Sequence, residues 1–167
     1  MNINLIEGKL GEVPLDNPRY ISIDPGVTTG ITFWNELGKS THYNELDILN
    51  LNRLLDHIES IHFDAGEDLN LKEFIVEEFV LYQKSALQQS GSRLETVQVI
   101  GMIKRSNYCI GLPDVVEVRA DAKNTAAQWS GTRLPKGHLD NWKAAYLIGY
   151  YWLHKKGIIP PRVLEQA

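Results

Sequence analysis

The sequence predicts an α/β domain: a mixed five-stranded sheet, an antiparallel hairpin meander plus parallel strands, flanked by helices. Three observations lead there. Two apolar, β-branched segments separated by Pro25-Gly26 open the pattern, and helical and strand periodicities alternate after them. The 167 residues, 43% hydrophobic and 23% charged, are enough for one core without disulfides or structural metal.

Residues 1–18 form an N-terminal extension. Tyr20-Ile21-Ser22-Ile23-Asp24 is a strand ending in a turn, and Gly30-Ile31-Thr32-Phe33-Trp34 is its hairpin partner. A short third strand covers Thr41–Tyr43. Leu46, Leu49, Leu54, Leu55, Ile58 and Ile61 recur at helical spacing, which predicts a helix over 45–61. Lys72–Val80 (KEFIVEEFV) reads as a buried strand with its carboxylates at the far end. Leu94, Val97, Ile100 and Ile103 mark a helix over 92–107. Val115–Arg119 is a strand, Ala120–Trp129 a weak helix, and 139–156 a long helix stopping near Gly157. Residues 158–167 form a tail. Two polar stretches, Lys84–Ser92 and Ser130–Gly137, read as loops able to touch a ligand.

Cys109 is the only cysteine, which excludes an intrachain disulfide and a thiolate zinc site. The first twenty residues carry acids and no signal-peptide core, and no apolar run approaches the ~20 residues of a membrane span. The expected setting is the cytoplasm, with no membrane partner. Net charge is −4, but it is unevenly placed. Residues 1–79 hold 5 basic and 15 acidic side chains; residues 80–167 hold 12 and 6. Such asymmetry is a mark of nucleic-acid or membrane interaction.

The acids carry the chemistry. Asp24 follows a β-branched run, and Glu77 follows Phe74-Ile75-Val76. Carboxylates are rarely buried unless paired or bound to a metal. If the two strands are neighbours, the two acids converge at the strands' carboxyl ends, where ligands bind in such sheets. Asp140 opens the last helix, two residues after His138. Three oxygen donors and an imidazole suit Mg²⁺ or Mn²⁺ better than Zn²⁺. Two such ions about 4 Å apart serve phosphodiester hydrolysis. The competing structural reading is that each Asp starts a turn or caps a helix, and that His138 is a surface or capping residue.

ISIDPGVTTGITFW resembles the first strand and hairpin of RuvC-type Holliday-junction resolvases, in the RNase H-like superfamily. FIVEEFVLY resembles that family's second motif, especially in its phage branch, LETVQVIGMIKR the helix after it, and HLDNWKAAYLIGYYW the closing helix. The resemblance spans about residues 20–155 and implies a single RNase H-like nuclease domain over 1–167. It implies a metal-dependent, structure-selective endonuclease of recombination and repair, cutting four-way or other branched DNA as a homodimer. It further implies two Mg²⁺ or Mn²⁺ ions per site and, for a phage-encoded member, action in the host cytoplasm. Asp24 would be the first metal ligand and Glu77 the second, with Glu78 on the opposite face of the strand. The family spaces a His or Asp and the last Asp three apart. Here His138 and Asp140 are two apart and Asn141 holds the three-apart position. Alignment on Ala144-Ala145 favours Asp140 as the last ligand, with His138 a further ligand or proton shuttle. Lys123 resembles the lysine that approaches the scissile phosphate.

DNA at such a site needs phosphate contacts, which give affinity without sequence choice. Lys84, Arg93, Lys104, Arg105, Arg133 and Lys136 are the candidates, beside Arg119, Lys123 and Lys143. Tyr82 is placed to stack on an unpaired base or insert at a branch point. Two rivals remain: a junction-binding module of the same fold with little or no catalysis, and an actin-like ATPase using DPGVTTG as a phosphate turn. The second normally needs two such domains, more chain than 167 residues provide.

Overall fold

The structure is a computed structural model that describes residues 2–3, 13–14, 18–64, 70–79 and 90–160. Two short strands, β1 (Asn2–Ile3) and β2 (Val13–Pro14), pair antiparallel within the expected extension. The main sheet has five strands: β3 (Tyr20–Asp24), β4 (Thr29–Trp34), β5 (Ser40–Leu46), β6 (Glu73–Glu77) and β7 (Val116–Val118). Their order is β5-β4-β3-β6-β7. The β3–β4–β5 meander is antiparallel, whereas β6 runs parallel to β3 and β7 parallel to β6. This is the mixed sheet that the sequence predicts.

Among the described residues four helices cover it: α1 (Ile48–Asp64), α2 (Ser90–Cys109), α3 (Ala122–Ser130) and α4 (Asn141–Lys155). Strand alternation sorts the core into two layers. Ile21, Ile23, Ile31, Phe33, Phe74 and Val76 face α1 and α2, where they meet Leu51, Leu54, Leu55, Val99 and Ile103. Tyr20, Trp34, Ile75 and Val118 face α3 and α4, where they meet Ala126, Leu147, Ile148 and Leu153. Fully buried Leu, Ile and Phe side chains contribute roughly 1.5–3 kcal/mol each, so both layers stabilise the sheet between the helices.

One boundary differs in a way that matters. The predicted helix over 45–61 begins only at Ile48, because β5 keeps its pairing with β4 out to Thr29↔Leu46. Asp47 then starts the helix, its Oδ1 accepting the Asn50 N–H at 2.8 Å. Leu46 therefore fills the core from a strand, and its neighbour Glu45 points to the other face of the sheet.

Two glycines let α4 lie hard against the sheet. A Cβ on Gly30 would sit 1.9 Å from the Asn141 carbonyl oxygen. One on Gly149 would sit 2.5 Å from Ser22 Oγ and 2.6 Å from Trp34 Nε1, atoms already hydrogen-bonded to each other at 2.8 Å. Among the described residues, no helix is long and apolar enough to cross a membrane.

Candidate active site

Asp24 is the last residue of β3 and Glu77 the last of β6. The parallel register Ile23↔Val76 carries the two acids side by side at the carboxyl ends of neighbouring strands. Both belong to the alternation set that faces α3 and α4, with Ser22 and Ile75 two residues earlier. Glu78 follows on the opposite alternation, and its N–H donates to the Val118 carbonyl at 2.7 Å.

The pair is electrostatically tense. Burial, then a hydrogen bond with Glu77 and the Glu77 charge, push the Asp24 carboxyl up to about 8, against the pull of Lys123. Lys123, from the second residue of α3, donates from Nζ to Glu77 Oε2 at 2.8 Å, with both side chains largely buried. Near neutral pH the pair keeps one proton and Lys123 matches its single charge; on losing that proton it offers two hard oxygen donors short of counter-charge. Mg²⁺ is commonly held by one or two carboxylates, keeping waters and taking substrate phosphates, and this donor set fits that ion or Mn²⁺.

His138 and Asp140 lie differently. Asp140 is the N-cap of α4, half-exposed, with its Oδ2 on Lys143 Nζ at 2.5 Å; His138 is exposed. Among the described residues, no three His, Cys, Asp or Glu side chains gather closely enough to hold a metal. The backbone is nevertheless near. Gly30 pairs with Asp24 across β3–β4 and touches Asn141, so the start of α4 borders the acid pair.

Glu45 is a residue the sequence reading passes over. It pairs with Gly30 on β4 as Asp24 does on the other side, and so shares their face. Its Oε1 accepts the Trp142 N–H at 3.4 Å, placing a carboxylate at the positive end of α4. Period-2 alternation through Tyr43-Asn44-Glu45-Leu46 was the signal available, masked by the leucines that follow at helical spacing.

The basic residues divide between layers. Lys104 pairs with Glu117 at 2.7 Å, and Arg105 reaches across to Asp56 and Glu59 of α1 at 3.0 and 3.1 Å. Arg105 thus ties α2 to α1, whereas Lys104, held to β7, lines a cavity that Glu77 also borders. Arg119 pairs with Asp121. Arg133 and Lys136 are exposed in the segment joining α3 to α4, and among the described residues neither has an ion-pair partner. Tyr82 and Lys84 lie outside the described residues, as does the side chain of Arg93.

No protein-family model matches the sequence, and no curated protein matches it. Solved structures do. Thermus thermophilus RuvC, in complex with Holliday junction substrate, matches with a TM-score of 0.56 at 14% identity, covering 85% of this chain and 98% of that one. A second T. thermophilus RuvC structure gives the same values. The yeast mitochondrial Holliday junction resolvase Ydc2 matches with a TM-score of 0.49 at 12% identity, over 85% of this chain and 80% of that one. Over most of its length, then, this chain shares the fold of these RuvC structures.

Proposed function

We propose that the protein is a metal-dependent, structure-selective endonuclease that hydrolyses DNA phosphodiester bonds at four-way or other branched junctions. The observation that carries this reading is the Asp24–Glu77 pair at the ends of adjacent strands, where burial and the neighbouring Glu77 push the Asp24 carboxyl up. Such an arrangement costs stability and persists where function needs it. The likeness to a RuvC solved with a Holliday junction supplies the class of substrate.

A divalent cation held by Asp24 and Glu77 would supply the charge that activates a water and offsets the leaving oxygen. Lys123 restrains the Glu77 carboxylate and adds a positive charge where a scissile phosphate would lie. Arg133 and Lys136 would extend the path of positive charge along the α3–α4 side. The start of α4 closes the site beside Gly30 and contributes Asp140 or Asn141 to its rim.

Paired nicks across a junction need two such sites. Leu94, Val97 and Tyr108 form a stripe on α2 and are 67%, 48% and 85% exposed. A second copy packed on that stripe would bury it and set two sites about a twofold axis. A second reading is favoured by one observation: Asp140 is engaged by Lys143 instead of joining the acid pair. On that reading the protein binds junctions without cutting them. Synthetic four-way junctions decide between the two. Cleavage with Mg²⁺ or Mn²⁺ that stops with a chelator is the expected result; binding without cleavage under either metal leaves the binding module.

A further inference from the structure

Beside the acid pair stands an aromatic feature that neither the catalytic chemistry nor the core accounts for. Tyr43 of the edge strand β5 stacks on Trp142 of α4, with ring centroids 4.1 Å apart and planes 18° from parallel. Trp142 is held at both of its backbone groups. Its N–H donates to Glu45 Oε1, and its carbonyl accepts from Thr32 Oγ1 at 3.4 Å. Tyr43 is thus seated on a fixed base, yet it remains 52% exposed. Among the described residues its other ring neighbour is His42, next to it in sequence and turned to the opposite face of the strand. A ring needed only to dock α4 would be covered; this one presents half of itself outward.

Its position is informative. Tyr43 pairs with Thr32 and Thr32 with Ser22, so Tyr43 shares the face of Asp24, two strands across and two residues along. Sheet spacings make that roughly 12 Å, the rise of a few nucleotides along one strand. Lys143, whose Nζ is paired with Asp140, holds its ammonium 5.2 Å from the Trp142 ring centroid.

We propose that Tyr43, backed by Trp142 and flanked by Lys143, is a stacking platform for an unpaired nucleobase a few nucleotides from the scissile phosphate. It rests on the nuclease reading above. Every base has a π-face, so a platform of this kind grips an opened strand without selecting sequence, while the neighbouring ammonium meets its phosphate.

The test uses the full chain carrying Asp24→Asn, which keeps the DNA uncut, and four-way junctions with 2-aminopurine placed at successive positions from the branch. Stacking quenches that base. Quenching is expected at one position a few nucleotides from the branch, and Tyr43→Ala should abolish it and weaken binding by roughly 5- to 100-fold. Tyr43→Phe should keep the quenching, and Phe63→Ala, a still more exposed ring on α1, should change neither quantity. Where Tyr43→Ala unfolds the protein, Tyr43→Leu decides, because leucine covers Trp142 without a π-face. Loss of quenching at a native melting temperature supports the platform; unchanged quenching overturns it and leaves Tyr43 as a dock for α4. Cleavage of junctions with quenching nowhere sinks the platform alone. Failure of the wild type to bind any DNA removes the nuclease reading together with it.

Discussion

Gly30 of β4 and Asn141 at the start of α4 approach so closely that no side chain fits between them: a Cβ on Gly30 would lie 1.9 Å from the Asn141 carbonyl oxygen and 2.7 Å from the Trp142 nitrogen. Since Gly30 is also the cross-strand partner of Asp24, this contact fixes where the rim of the candidate site lies relative to its acids.

Gly30→Ala should therefore damage stability and activity together. The obstacle is backbone, so relief requires moving α4, and the cost should be about 1–3 kcal/mol or more. Gly101→Ala is the useful contrast, because nothing lies within 4 Å of a Cβ there and the residue sits inside α2. It should stabilise by about 0.5–1 kcal/mol. Thermal melts of the two variants check this, and equal shifts in the same direction would contradict it.

Asp24 makes the metal-free protein sensitive to pH. Its folded carboxyl titrates at about 8, while in the unfolded chain it titrates near its ordinary ~3.9. The folded state thus holds the proton more tightly. Its stabilising contribution is complete below pH ~4 and is lost as the pH rises towards 8. Asp24→Asn should raise stability at pH 8 on the order of 2 kcal/mol, or roughly 4–8 °C, and change little at pH 4. Melting both proteins in chelator across this range tests it; a difference that does not grow with pH refutes it.

Strand register separates the adjacent glutamates. Glu77→Gln should lower junction cleavage at least about 100-fold, while Glu78→Gln, on the opposite alternation, should stay within about threefold. Cleavage rates at saturating Mg²⁺ are the measurement, and the reverse order would show that the wrong acid has been placed in the site.

Arg105 and the α3–α4 segment should part company in DNA binding. Arg105 ties α2 to Asp56 and Glu59, so Arg105→Met should cost about 0.5–1 kcal/mol of stability and leave junction affinity within twofold. Removing Arg133 and Lys136 together should weaken binding and flatten its dependence on log salt by about 2. Salt titrations of binding would expose an error in either assignment.

How far the sequence was legible follows from what each signal depends on. The β3–β4 hairpin and β6 could be read because their apolar runs are bounded by Pro25-Gly26 and by acids, both local signals. Asp24 and Glu77 stood out for the same reason: a carboxylate closing an apolar strand is costly and visible. Residues 45–47 were misread because Leu46 serves a strand's core face while matching the helical spacing of Leu49 and Leu54. The partners of Lys104 and Arg105 come from α1 and β7, distant in sequence, so nothing local distinguishes those cations from phosphate ligands. The Tyr43–Trp142 stack likewise joins residues 99 apart, across a contact that only the packing of α4 creates.

The two glycine contacts of α4 have a mechanical consequence. They fall at Asn141 and at Gly149, eight residues and roughly 12 Å apart along one rod. A rod seated this closely at two points has little room to tilt into the sheet or slide across it. The floor and rim of the site are therefore a fixed template, and compliance has to come from the other party. A nucleic acid with a soft joint, able to bend at low energetic cost, would meet that template more readily than a uniform duplex, so selectivity for shape can arise without a single contact to a base edge.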